Sequence, residues 1–159
     1  MSRRPLAAAA ALAVLGASGF AATASGQATP RTLAFTAKAP AKHDTAQVDV
    51  KPHGLSGGDE FLVAQTLRAG GHVAGRLHVA CTVIDVSYRG EDCRLVLILR
   101  GGQLTAAGGG LDRALRGVGD GTPGAGDDFA ITGGTGDYAG AGGTVNVRGG
   151  DRVTVSLTG

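Results

Sequence analysis

Residues 128–145, DFAITGGTGDYAGAGGTV, decide between two folds for this chain. The stretch is a short β-type run, a glycine-rich segment with one aromatic residue, Tyr138, and a second β-type run. A strand followed by glycines is typical of a phosphate-binding loop, but that loop needs a helix directly after it. Residues 139–143 are mostly glycine and oppose a helix. The stretch therefore predicts a corner between two antiparallel strands.

The N-terminal residues 1–28 have the layout of a secretory signal peptide. Arg3-Arg4 precedes an apolar run rich in alanine and leucine, and small residues follow, with cleavage after either Ala24 or Ala28. The run is too short and too rich in alanine to predict a membrane span. The arginine pair leaves both the general secretory and the twin-arginine route open. We expect residues 29–159 to form a single domain that is exported across the bacterial cytoplasmic membrane and secreted.

The charge balance argues against two classes of partner. The formal net charge is +2, and the predicted signal peptide holds two of the arginines, so the mature chain is close to neutral. Only 4% of the residues are aromatic. Without a basic patch, we expect neither nucleic acid nor, after signal cleavage, a membrane as a partner.

Cys81 and Cys93 are the two cysteines of the chain. Export favours a disulfide between them. The alternative, a redox pair or a metal site, is disfavoured because the spacing is not C-x-x-C and the histidines are scattered. The sequence therefore predicts a disulfide, no metal and no cofactor.

The glycine pair Gly70-Gly71 separates the β-type runs 60–68 and 72–85 and predicts a two-residue hairpin, because such turns need positive φ. Counting outward from this turn places Leu62 opposite Val79. In this register Ala64 lies opposite Leu77.

The cysteines supply an independent register. If Cys81 faces Cys93, Val79 lies opposite Leu95 and Leu77 opposite Leu97, and continuing through the turn Gly101-Gly102 places Leu99 opposite Leu104. Both cues give one apolar face, which we predict to be the inside. The face consists of Leu62, Ala64, Leu77, Val79, Leu95, Leu97, Leu99 and Leu104. The candidate ligand-pocket residues on it are Leu62, Leu77, Val79, Leu97 and Leu99.

The opposite face carries a candidate polar cluster. The hairpin register places Gln65, Arg76 and His78 together on it, with Arg94 nearby. Such a cluster either binds an anionic group and stabilises developing negative charge, or is the solvent face of the sheet. Near the start of the same strand, Asp59 and Glu60 form either a polar rim or a strand end.

The rest of the chain also favours β structure. Residues 108–127 are rich in glycine and charge and predict a flexible loop, either a plain connection or a lid over a barrel mouth. After the corner, a three-residue turn at 149–151 places Val147 opposite Val153. Short strands joined by glycine turns, with no sustained helical period, predict an all-β sandwich or barrel.

Several segments together resemble the allene oxide cyclase and dirigent superfamily, closest to its exported bacterial branch. The resemblance runs from about Leu33 to Leu157. Its segments are Gly58–Phe61, Gly70–Gly75, Val79–Val83, Arg100–Ala106 and, most specifically, Phe129–Ala141. It implies a calycin-like, eight-stranded, closed antiparallel barrel with an apolar lumen, and a homotrimer. It also implies a structural corner made by Gly133, Gly134, Gly136 and Tyr138.

Two departures from the superfamily bear on its chemistry. An arginine common after the corner is replaced by Gly142, and the first strand, 33–38, holds no acidic residue. No catalytic residue is therefore carried over. We expect a barrel that binds a small apolar molecule in its lumen and guides its stereochemistry. The alternatives are a true isomerase that cyclises an unsaturated, oxylipin-like substrate, and a secreted structural barrel without a ligand.

Overall fold

A computed structural model describes residues 30–88, 90–111, 127–149 and 151–158. Nine strands lie in these residues, and two 3₁₀ turns, Lys42–Asp44 and Gly136–Tyr138, interrupt them. The strands are β1 (Arg31–Ala37), β2 (Thr45–Val48), β3 (Glu60–Ala69), β4 (His72–Asp85), β5 (Gly90–Leu99), β6 (Gly102–Leu111), β7 (Asp127–Gly134), β8 (Gly142–Arg148) and β9 (Arg152–Thr158).

The strands close into an antiparallel barrel. β3 to β9 pair in chain order, and β1 pairs with β9 on one side and with β3 on the other. β1 and β2 share one strand position: Ala37 of β1 lies opposite Leu67, and Thr45 of β2 lies opposite Val63 further along β3. The nine strands thus fill eight positions, and the predicted eight-stranded barrel is confirmed.

One hydrophobic cluster lines the interior of the barrel. Its members alternate along each strand with exposed residues, as the period of two requires. Burial of each large apolar side chain contributes about 1.5–3 kcal/mol. The largest apolar side chains that are less than 2% exposed are Phe129, Leu67, Leu77, Leu95, Leu97, Leu104, Val83, Val145, Val153 and Val155.

A β-bulge between β3 and β4 overturns part of the predicted register. Arg68 lies opposite Val73, but Leu67 lies opposite Gly75, so Ala74 is an extra residue on β4. Beyond the bulge every pairing is shifted by one, and Leu62 lies opposite Ala80 instead of Val79.

Because a one-residue shift exchanges the two faces of a strand, the predicted facing of β3 is wrong. Leu62 and Ala64 lie on the outside of the barrel, and Gln65 lies on the inside. The predicted facing of β4 and β5 is correct, with Val79 opposite Leu95 and Leu77 opposite Leu97.

The β5–β6 pairing differs from the prediction by two residues. Leu97, and not Leu99, lies opposite Leu104, because the turn consists of Arg100 and Gly101 alone. A shift of two keeps each side chain on its face, so these leucines still point inward. The predicted pairing of Val147 with Val153 is confirmed.

The corner after β7 packs against the β5–β6 turn. The Asp137 amide donates to the Gly101 carbonyl oxygen at 2.9 Å, and Tyr138 is buried. Gly136 has φ +60°, and a Cβ there would collide with the Gly101 carbonyl oxygen. The corner therefore needs glycine for both its backbone conformation and its close contact.

Three further predictions concern the covalent framework and the connections. The Cys81–Cys93 disulfide is present, and the two residues lie opposite each other on β4 and β5. The predicted loop 108–127 begins later than predicted, because β6 continues to Leu111. The rest of this loop, residues 112–126, lies outside the described residues, as does the predicted signal peptide, residues 1–28. Within the described part of the chain no helix is long and apolar enough to cross a membrane.

Candidate functional site

Four of the five predicted pocket residues point into the barrel. Leu77, Val79, Leu97 and Leu99 are all at most 9% exposed and belong to the hydrophobic cluster. Leu62 is 39% exposed on the outer face, because the bulge shifts the register of β3. An apolar interior exists as predicted, whereas its use as a ligand pocket stays a prediction.

The predicted polar cluster is divided between the two faces of the sheet. Arg76 and His78 are exposed on the outside, and Gln65 is buried on the inside. No single group of polar side chains therefore forms from these three residues. Arg76 instead pairs with Asp44 at 3.5 Å.

The side chain of Gln65 lies among apolar residues inside the barrel. Gln65 is opposite Leu77 and only 1% exposed. Among the described residues, neither its Oε1 nor its Nε2 has a hydrogen-bond partner. A buried polar group without a partner costs about 1–3 kcal/mol. The carboxamide is thus a polar group that a molecule inside the barrel could satisfy.

Glu91 is a second buried polar residue of the interior, and the sequence analysis missed it. It is 1% exposed at the start of β5, and its carboxylate lies within 4.8 Å of the sulfurs of Cys81 and Cys93. Both sulfurs belong to the disulfide and offer no thiolate to a metal ion. The period of two along β5 could have found Glu91, since an inward Cys93 places it inward as well.

Asp59 holds the loop before β3. Its carboxylate accepts hydrogen bonds from the Val50 and Ser56 amides, both at 2.9 Å, and from the Ser56 hydroxyl at 3.0 Å. The pKa of Asp59 lies below its ordinary value of 3.8, chiefly because the Ser56 amide donates a hydrogen bond to the carboxylate. Burial raises the pKa, whereas the hydrogen bonds from the Val50 amide and the Ser56 hydroxyl lower it further. Asp59 directly precedes β3 and its carboxylate is used by the preceding loop, so of the two alternatives the contacts favour a strand end over a polar rim.

A cavity of about 420 Å³ lies on the outside of the barrel, where β2, β3, β4 and β5 adjoin. Its floor includes the apolar residues Leu62, Ala64, Ala80 and Val96, and the 3₁₀ turn Lys42–Asp44 contributes one side. The predicted register places Leu62 and Ala64 inside the barrel, so this cavity could not be predicted from the sequence.

Comparison with known proteins assigns the fold. No protein-family model matches the chain, and no curated protein sequence matches it significantly. Solved structures do match. They include a dirigent protein and Diels–Alderases, so this chain has the same fold as those proteins, and the fold implied by the resemblance is confirmed.

Three of these structures span most of the described chain. A pyocyanin demethylase shares 25% identity, with 80% of this chain and 100% of that chain covered and a TM-score of 0.68. A pterocarpan synthase dirigent protein shares 14% identity, with 82% of this chain and 88% of that chain covered and a TM-score of 0.58. AbnU, an exo-specific intermolecular Diels–Alderase, shares 16% identity, with 82% of this chain and 99% of that chain covered and a TM-score of 0.60.

Proposed function

We propose that this protein binds a small, largely apolar organic molecule inside the barrel and holds it in one orientation. The observation that carries the proposal is the buried carboxamide of Gln65, which has no partner among the described residues and lies in an otherwise apolar environment. An amide offers one acceptor and two donors. A ligand with a carbonyl, hydroxyl or ring nitrogen would satisfy it and would be fixed relative to the barrel wall.

The chemistry expected of such a site is conformational guidance. Apolar walls exclude water, and a single polar contact sets the orientation of the ligand, which reduces the entropy lost on reaching a reactive geometry. The named activities of the structural neighbours, a dirigent pterocarpan synthase and Diels–Alderases, support this class of function. If the bound molecule is an unsaturated substrate, the same site would act as an isomerase that cyclises it. Secretion, the signal peptide and the homotrimer stay predictions, although the disulfide is typical of an oxidising compartment.

A second candidate function is demethylation of pyocyanin or a similar aromatic compound. It is favoured by one comparison, in which the chain covers the whole of a pyocyanin demethylase at 25% identity. Incubation of the purified protein with pyocyanin, followed by mass spectrometry of the products, tests it directly. Recovery of unchanged pyocyanin would reject this candidate and leave the binding proposal standing.

The binding proposal is tested by native mass spectrometry of the protein purified from its source and after addition of pyocyanin as a planar aromatic probe. The variant Gln65→Leu removes the carboxamide at nearly constant volume. Gln103→Leu makes the same change at an exposed position on β6 and is the matched control.

We expect a bound small molecule on the wild type and on Gln103→Leu, and at least tenfold weaker retention on Gln65→Leu. Equal retention by both variants would show that Gln65 does not orient the ligand. A barrel free of ligand in both experiments would contradict interior binding.

A further inference from the structure

The outer cavity is separate from the barrel interior. Its floor is built from outward side chains on three neighbouring strands: Leu62 and Ala64 of β3, Ala80 of β4 and Val96 of β5. Leu62 lies opposite Ala80, and Ala80 lies opposite Arg94, so these three form one row across the sheet. The small alanine side chains leave a depression between the larger residues on either side.

The volume of this cavity suits a small molecule. About 420 Å³ lies within the range of roughly 300–1,000 Å³ that is usual for ligand sites. Such sites combine an apolar lining with a few polar groups that fix orientation. The four floor residues named above supply the apolar part.

The rim of the cavity carries unequal charges. Asp44 pairs with Arg76 at 3.5 Å, so these two charges offset each other. Arg94 also lines the cavity, is exposed, and forms no ion pair with any residue that the structure describes. Asp92 is the acid nearest to Arg94 along the same face of β5, but the two form no ion pair. One guanidinium therefore remains available beside the apolar floor.

We propose that this outer cavity is a second binding site, for a small amphipathic molecule with an apolar, ring-containing body and one anionic group. The body lies on the floor formed by Leu62, Ala64, Ala80 and Val96. The anion, a carboxylate or sulfonate, accepts hydrogen bonds from the Arg94 guanidinium, whose planar arrangement of donors suits two oxygens at once. The imidazole of His78 lines the same cavity and offers a further polar contact.

Fluorescence titration with 8-anilinonaphthalene-1-sulfonate tests the proposal, because this probe has an aromatic body and one sulfonate. N-phenyl-1-naphthylamine has a similar body without the charge. The variant Arg94→Gln removes the cation, and Arg100→Gln is the matched control, since Arg100 is exposed in the β5–β6 turn and does not line the cavity. Ala80→Leu fills the floor. Thermal unfolding of each variant establishes that it is folded.

We expect Arg94→Gln to weaken binding of the sulfonate probe roughly tenfold, as loss of a charge-assisted hydrogen bond implies. It should leave the neutral probe unchanged, and Arg100→Gln should change neither. Ala80→Leu should weaken both probes. Gln65→Leu should leave the effect of Arg94→Gln unaltered, which separates this site from the barrel interior.

Equal affinities of Arg94→Gln and Arg100→Gln for the sulfonate probe would overturn the proposal. So would a cross-linked oligomer of the variant Leu62→Cys, detected by mass spectrometry, because a second copy would then cover this face. In that case the cavity is part of an interface.

Discussion

Gln65 and Leu77 lie opposite each other on the inner face of the barrel, one with an unsatisfied carboxamide and the other fully buried. The pair places a polar group among leucines without a compensating contact from the described residues. This arrangement lowers the stability of the free protein. The ligand proposed above would offset that loss by hydrogen bonding to the carboxamide, and a loss of stability is common at functional sites.

Replacing Gln65 with Leu should therefore stabilise the protein in the absence of a ligand. Removal of a buried carboxamide without hydrogen bonds should raise the free energy of unfolding by about 1–3 kcal/mol, measured by urea denaturation. The exposed control Gln103→Leu should change it by less than about 0.5 kcal/mol. A destabilised Gln65→Leu would mean that the carboxamide has a partner in the folded protein.

Removing the disulfide should cost stability without changing the fold. The bridge closes a segment with a sequence separation of 12, and its loss in Cys81→Ala/Cys93→Ala should lower the free energy of unfolding by roughly 3 kcal/mol. Urea denaturation measures the loss. Thiol labelling of the unreduced protein is the complementary test, and modification of both cysteines would contradict the bridge.

The corner glycines should differ in tolerance. Gly136 and Gly140 both have positive φ, +60° and +75°, but only at Gly136 would a Cβ meet backbone, the Gly101 carbonyl oxygen. Gly140→Ala should lower the free energy of unfolding by about 1–2 kcal/mol from the backbone conformation alone. Gly136→Ala should lower it by a further ~1–3 kcal/mol from overpacking. Equal losses in thermal or urea unfolding would show that the corner does not depend on this contact.

Asp59 should make the free energy of unfolding depend on pH in the acid range. Because its folded pKa lies below the unfolded value of 3.8, its ionised form stabilises the folded state above pH 3.8. This contribution is lost as the pH falls through the lower folded value. Urea denaturation across the acid range should show stability falling with pH, and Asp59→Asn should be less stable at neutral pH with a shallower dependence. The exposed Asp92→Asn is the control; an unchanged profile in Asp59→Asn would rule out this role.

Much of the barrel could be predicted because its signals are local. A turn is fixed by the adjacent glycines Gly70 and Gly71. The register of the next strand pair is fixed by the two cysteines, Cys81 and Cys93. The bulge at Ala74 has only a weak signal, because residues 72–76 hold one large apolar side chain, Val73, and a change in the phase of the alternation cannot be seen there. Gly75, inside a strand, was the available hint, because glycine in a strand often marks a bulge.

The extra residue Ala74 also decides which side chains form the candidate sites. The bulge moves Gln65 to the interior and Leu62 to the exterior, so the predicted polar cluster was wrong, and the outer cavity could not be predicted. The 3₁₀ turn Lys42–Asp44, which forms part of that cavity, is irregular structure whose placement depends on tertiary contacts such as the Asp44–Arg76 pair.

The shared strand position of β1 and β2 has a consequence for how this barrel can change during evolution. The Lys38 amide still donates to the Thr66 carbonyl oxygen of β3, and residues 39–44 then leave the wall. The chain pairs with β3 again from Thr45, opposite Val63. Insertions there would lengthen the excursion without shifting the register of any strand. Since His43 and Asp44 line the outer cavity, variation in this segment would reshape the outer surface and leave the interior intact.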